Sequence, residues 1–278
     1  MPLGGGFRPV RCSMSKPDRT SAVLLEVNER KVASVILNRP AVNNAYDGDL
    51  IQSMLAVMDA LDKVAGLRAV VVRSRGKHFQ AGADLNWLNA VRCSSPEENI
   101  RASRATAEAV QRLNLAPVPT VALVQGACFG GGTGILAACD VVIAADNAIF
   151  SIAEVRWGLS AAIIIPQLND AMSVRQVRRY ALTGERFEAQ EARRIGLVHE
   201  VVPLAELEAA GERVIAQLLQ NAPEAISQTK ALAIEQASSG PDEAKFNRLI
   251  EIHARKRQSA EAAEGLLSFA EKRAAAWR

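Results

Sequence analysis

Three short stretches of this 278-residue chain hold the residue types that chemistry requires. Residues 75–85, RGKHFQAGADL, run from an apolar strand into a glycine-containing loop. Residues 124–140, VQGACFGGGTGILAACD, place three consecutive glycines at the start of a short helix. Residues 150–159, FSIAEVRWGL, carry a lone acid, Glu154, in apolar surroundings. Glycines lack side chains and let a ligand approach the backbone closely. Free N–H groups at a helix start favour negative charge, which suits a phosphate or a developing oxyanion. A glycine triplet serves tight packing just as readily. No Gly-Lys-Ser/Thr follows it, so it is not a nucleotide phosphate loop. GGGTG also lacks the spacing and downstream acid of a dinucleotide fingerprint.

The elements that must position these stretches read as an α/β core with a helical tail. Residues 22–27 and 32–37 are β-rich and joined by the polar turn NERK, the pattern of a hairpin. A helix follows with Asp47 as N-cap, its apolar positions Leu50, Ile51, Met54, Leu55, Met58 and Leu61 falling on one face. Residues 69–72 form a continuous apolar strand of the kind covered on both faces. Ser95, Pro96 and Glu98 carry a helix-start signal. Residues 120–124 and 141–145 read as two more strands, and the strand-helix-strand rhythm predicts right-handed crossovers. After Pro203 the composition turns to strong helix formers, punctuated by Pro223 and the SSGP of 238–241. We therefore expect a disordered leader at 1–20, a core at 21–203 and a helical region at 204–278, with Met14 as an alternative start.

Composition narrows the function. Hydrophobic residues make up 49% and charged residues 23%, with a net charge of +3. That is ordinary globular composition, and so small an excess of positive charge gives no field for a nucleic-acid partner. No apolar run approaches the roughly 20 residues that cross a bilayer, so no membrane role is expected. Cys12, Cys93, Cys128 and Cys139 form no C-x-x-C pair, which argues against a disulfide framework or zinc knuckle. His199 and His253 show no ligand spacing, so no metal is expected. A cytoplasmic location follows as the default.

Six pieces taken in order are far more specific: LNRPAVNNA, GKHFQAGADL, GACFGGGTGILAACDVVIAA, FSIAEVRWGL, RRYALTGERFEAQEARRIGLVHEVV and EGLLSFAEKR. From about Ser21 onward the chain resembles the crotonase (enoyl-CoA hydratase/isomerase) superfamily. The resemblance implies a ββα spiral core and a C-terminal helical trimerisation region. It also implies homotrimers or dimers of trimers, an acyl-CoA thioester as substrate, and no cofactor beyond that CoA. It puts an oxyanion hole at the backbone N–H groups of Ala83 and Gly131, with Gly82 and Gly130 among the residues that bind the substrate. Contacts to the CoA arm fall on Arg39, Ala41, Ala81, Asp84 and Leu85, largely through backbone, and on Phe269 and Lys272 near the C-terminus. His78 shapes the loop, and Trp87 walls an acyl pocket or fills the core.

One position departs from the family pattern. Typical hydratases carry two glutamates, and here the first position is Gly134 while the second is Glu154. The resemblance then leans towards bacterial hydratases of 3-branched glutaconyl-CoA esters, either isohexenylglutaconyl-CoA or 3-methylglutaconyl-CoA, in terpene or leucine breakdown. Glu154 would activate water and return the proton to C2, giving a 3-hydroxyacyl-CoA. Arg156 would pair with the free carboxylate of such a substrate, with Arg101 and Arg104 as alternatives. Two other readings stay open: an isomerase working with one glutamate, and an acyl-CoA-binding relative without turnover.

Overall fold

The structure, a computed structural model, describes residues 21–237, 250, 252 and 259–277. The opening hairpin forms as β1 (Val23–Val27) and β2 (Val32–Leu37), antiparallel as the NERK turn requires. Helix α1 (Gly48–Leu61) starts where Asp47 accepts a hydrogen bond from the Leu50 N–H, and it buries Leu50, Ile51, Met54, Val57, Met58 and Leu61. Strand β3 (Ala69–Ser74) follows, then α2 (Leu85–Arg92) and α3 (Pro96–Asn114). The Ser95 side chain and Glu98 make a full capping box at the start of α3, as their spacing predicts.

Strand β4 (Thr120–Val124) passes directly into β5 (Ala127–Phe129), and α4 (Gly131–Ala137) leads to β6 (Val141–Ala145) and β7 (Ile149–Ser151). A single 3₁₀ turn, Glu154–Trp157, precedes α5 (Ile165–Met172), α6 (Val174–Thr183) and β8 (Arg186–Glu188). The chain continues through α7 (Ala189–Arg194), β9 (Glu200–Val202), α8 (Leu207–Leu219), α9 (Pro223–Ala237) and α10 (Ala260–Ala270).

Two sheets result. The larger has the order β1-β2-β3-β4-β6-β9, parallel from β2 onward, and the smaller has the order β5-β7-β8. Alternate residues of the central strands feed opposite cores. Val70, Val72, Ala122 and Val124 join the main cluster, whereas Ala69, Val71, Val121 and Leu123 pack under α8 with Leu207, Ala210 and Ile215. Burial on both faces explains why these strands read as continuous apolar runs. The chain leaves the larger sheet at Gly126 and enters the smaller one. A Cβ there would overlap the Lys77 carbonyl and the His78 ring, so the two sheets and the 75–78 loop meet too closely for a side chain.

Asn44 ties the first turn to that same loop. Its side chain is fully buried, accepts from the Arg39 N–H (2.8 Å) and donates to the carbonyls of Arg75 and His78 (2.9 Å each). Its backbone also sits at φ 55°, a conformation that asparagine tolerates better than most residues. Asn44→Ala removes three hydrogen bonds, leaving the Arg39 N–H and the Arg75 carbonyl without these partners while the His78 carbonyl keeps the Ser74 hydroxyl (3.2 Å). Unfolding free energy should therefore drop by about 2–4 kcal/mol. Chemical denaturation checks this, and a loss below about 0.5 kcal/mol would contradict it.

Candidate active site

Residues 80–84 are held by hydrogen bonds along both edges. On one edge the Gln80 N–H donates to the Ala127 carbonyl (3.1 Å), and the Phe129 N–H donates back to Gln80 (2.9 Å). On the other, Ala81 donates to Asn43 (3.0 Å), Tyr46 donates to Gly82 (2.9 Å) and Asp84 donates to Tyr46 (2.8 Å). Single bridges Tyr46↔Ala83 and Gln80↔Cys128 mark the pairing. The Ala83 N–H takes no part in this ladder and has no acceptor among the described residues. The Gly131 N–H, first in α4, is likewise without one. Both residues line one cavity of about 290 Å³, together with Tyr46, Glu154, Arg156 and Arg186.

Glu154 comes to the same cavity from the smaller sheet. Strand β7 ends at Ser151, whose carbonyl accepts the Gly130 N–H (2.9 Å) and whose hydroxyl donates to the Gly184 carbonyl (3.0 Å). The 3₁₀ turn that follows is closed by the Leu159 N–H donating to the Glu154 carbonyl (3.0 Å). The carboxyl thereby lies over Gly130, where a Cβ would come within 3.1 Å of Oε1. Gly130 has φ 52°, ψ −123°, a backbone state that side chains strongly disfavour. Oε2 is buried and has no hydrogen-bond partner among the described residues. Burial pushes this carboxyl above its usual 4.5, opposed in part by a hydrogen bond from its own backbone. A buried, unsatisfied carboxylate is a costly group, and it is primed to take a proton.

The position of a second glutamate is closed. A Cβ on Gly134 would overlap Ile164 Cγ2 and stand 2.8 Å from its Cβ. Ile164 is itself 2% exposed, so the space is filled by packed hydrocarbon. Glu154 is the one carboxylate that lines the cavity among the described residues.

Of the other residues expected at the site, Ala81, Gly82, Leu85, Gly130 and Arg156 line the cavity. Arg39 and Ala41 do not. The Arg39 guanidinium donates to the Ala45 carbonyl (2.6 Å) and pairs with Asp47 (2.6 Å), which secures the chain on both sides of Tyr46. Asp84 caps α2 by accepting from the Asn86 and Trp87 N–H groups. His78 Nδ1 accepts the Ala127 N–H (3.0 Å), a loop-shaping contact as expected. Trp87 packs edge-on against Tyr46, with centroids 5.7 Å apart. Arg101 pairs with Glu98 on the exposed face of α3. Lys272 lines a separate cavity with Ser268, Arg273 and Trp277. The Phe269 side chain and His253 lie outside the described residues. Tyr46, Phe129, Ile164 and Arg186 were missed by sequence reasoning. Arg186 stands in the quoted piece RRYALTGERF and Tyr46 directly follows LNRPAVNNA, but neither sits at a position that the resemblance marks.

The family model "Enoyl-CoA hydratase/isomerase" matches residues 27–278. The chain belongs to the enoyl-CoA hydratase/isomerase family. A hydroxycinnamoyl-CoA hydratase-lyase of Pseudomonas fluorescens is 35% identical over 209 residues, 74% of this chain and 75% of that protein. A mitochondrial Delta(3,5)-Delta(2,4)-dienoyl-CoA isomerase of Dictyostelium discoideum is 29% identical over 217 residues, 74% of each. The crystal structure of an enoyl-CoA hydratase from Shewanella pealeana has a TM-score of 0.88 at 35% identity, covering 92% of this chain and 96% of that one. The fold is thus the crotonase fold, and family membership makes the protein an acyl-CoA enzyme of the hydratase/isomerase kind. Its relatives include both activities.

The raised pKa of Glu154 has a stability consequence. The folded enzyme binds this proton more tightly than the unfolded chain, so the associated stability is present below pH 4.5 and lost as pH rises through the higher folded value. Glu154→Gln should therefore melt at a higher temperature than the wild type at about pH 8, with the gap closing towards about pH 4. Thermal melts across that range check it. Equal melting temperatures throughout would contradict it.

Proposed function

We propose that this enoyl-CoA hydratase/isomerase family member is a hydro-lyase adding water across C2=C3 of a 3-branched glutaconyl-CoA. The observation that carries the reading is the Glu154 carboxyl, its Oε2 buried without a partner among the described residues, in the same cavity as the N–H groups of Ala83 and Gly131 that have no acceptor there. Those donors would hold the thioester oxygen as it gains charge, each contributing on the order of 3 kcal/mol. Polarisation makes C3 electrophilic and stabilises the enolate formed at C2. Glu154 takes a proton from water as the oxygen bonds to C3, and the protonated carboxyl returns that proton to C2. The product is a 3-hydroxyacyl-CoA, and the carboxylate is regenerated.

The glutaconyl part rests on charge. Arg156 and Arg186 both line the cavity, and neither has an acidic partner within ion-pair distance among the described residues. Two guanidiniums without a carboxylate partner, Arg186 lying over the Phe129 ring (5.3 Å), suit the free carboxylate of an isohexenylglutaconyl or 3-methylglutaconyl group. A small recess lined by Leu50, Ile51, Met54, Val110 and Ile164 adjoins the site through Tyr46 and Gly131 and suits the apolar branch. This reading needs no cofactor beyond the CoA of the substrate. It takes the assembly to be a homotrimer or dimer of trimers, and Leu266 and Leu267 on α10, 69% and 50% exposed in the single chain, support an apolar contact there.

A single carboxylate also favours a second reading. Moving a double bond needs one group to carry a proton between carbons and no water. The test is turnover of a panel of thioesters in H₂¹⁸O: crotonyl-CoA, 3-methylglutaconyl-CoA, isohexenylglutaconyl-CoA and a 3-enoyl-CoA. We expect label in the branched glutaconyl products and a loss of at least about 10²-fold in Glu154→Gln. Arg156→Ala should raise KM for the glutaconyl esters and leave crotonyl-CoA unaffected. Double-bond migration without label would establish an isomerase, and binding without turnover would overturn the catalytic reading.

A further inference from the structure

The proposed hydration leaves one atom without a partner. While Glu154 carries the proton from water to C2, the water oxygen must be held over C3. The place where a second carboxylate would stand is occupied by Ile164. Ser151 Oγ is committed to the Gly184 carbonyl. Arg156 and Arg186 are exposed, as is Trp157 at 67%, so these donors stand on the solvent side of the cavity.

Tyr46 is different. Its backbone pairs with the loop that carries Ala83, through the Tyr46 N–H to Gly82 and the Asp84 N–H to Tyr46. Its ring lies on Gly131, where Cε1 would be 2.8 Å and Cζ 3.4 Å from a Cβ that the glycine lacks. One residue thus touches both segments, its backbone on the Ala83 loop and its ring on Gly131. The ring is steadied edge-on by Trp87 (5.7 Å, 65°). Its chain neighbours are pinned by Arg39, which holds the Ala45 carbonyl and Asp47. The hydroxyl makes no hydrogen bond to the described residues. The ring forms part of the wall of both the site cavity and the apolar recess.

Resting on the hydration reading, we propose that the Tyr46 hydroxyl is the second hydrogen-bonding group of the site, donating to the oxygen that is added to, or lost from, C3. Burial and the negative charge of Glu154 push the phenol up to about 12, so it stays protonated and acts as a donor throughout the neutral range. Its own proton remains on the phenol. The proton gained by C2 is the one that Glu154 took from water, and the balance of the reaction is unchanged.

Tyr46→Phe removes the hydroxyl and keeps the ring on Gly131. In the wild-type protein and this variant we would measure kcat and KM for the labelled-water hydration above. We would also measure C2-proton exchange of a saturated acyl-CoA in D₂O, which needs the oxyanion hole and Glu154 but no oxygen at C3. The expected result is a fall in hydration kcat of about 10- to 100-fold, with KM and C2 exchange within about twofold of wild type. Glu154→Gln should lose both activities. Hydration by Tyr46→Phe at the wild-type rate would overturn the role of Tyr46 alone. Parallel loss of exchange and hydration would also overturn it, because the ring would then be shaping the site without a contact to the C3 oxygen. A wild-type protein that hydrates no thioester would overturn the proposed function itself, and the role of Tyr46 with it.

Discussion

The pairing of residues 80–84 along both edges is the constraint on which the site depends. Each of its backbone hydrogen bonds contributes only about 1 kcal/mol net, but together they leave the segment no freedom. Asn43 and Tyr46 hold one side, and Ala127 and Phe129 the other. The pairing leaves the N–H groups of Gly82 and Ala83 without an acceptor among the described residues, and Ala83 lines the cavity. Fixed donors stabilise developing charge without reorganising during reaction. The partners come from the first turn and from β5, so the loop that carries Ala83 is tied to the junction between the two sheets.

Glu154 is the opposite kind of group. Its environment offers little of what a carboxylate wants: Oε2 is buried without a partner among the described residues, and Oε1 lies over Gly130, bare of a side chain. A protein selected for stability alone would replace such a group or pair it. Its place beside two N–H donors without an acceptor is what the proposed function puts to catalytic use. Ile164 fills the Gly134 space, so Glu154 is the one carboxylate that lines the cavity among the described residues.

Much of this was legible in the sequence wherever the signal is local. The boundaries of β2, β4 and β6, the Asp47 cap and the Ser95 capping box depend on periodicity or on residues three apart, and the structure has each of them. The smaller sheet was not legible. Its strands β5, β7 and β8 are three residues each, too short for an alternating pattern to register. The motif resemblance brought Glu154, Ala83 and Gly131 to one site, and the cavity unites them. It also marked Arg39 and Asp84 for the CoA arm, largely through backbone, and gave no sign that their charged groups hold the Tyr46 turn and cap α2. Tyr46 and Ile164 escaped notice because their roles arise from what packs against a missing Cβ on Gly131 and Gly134. Such contacts join residues far apart in sequence and leave no trace in spacing.

The most direct measurement is a crystal structure of the protein with a saturated acyl-CoA that it binds without turnover. The account predicts the thioester oxygen at about 3 Å from both the Ala83 and Gly131 nitrogens, with C2 and C3 facing the Glu154 carboxyl. A thioester oxygen directed away from these two N–H groups, or an acyl chain whose C2 and C3 lie out of reach of Glu154, would contradict it.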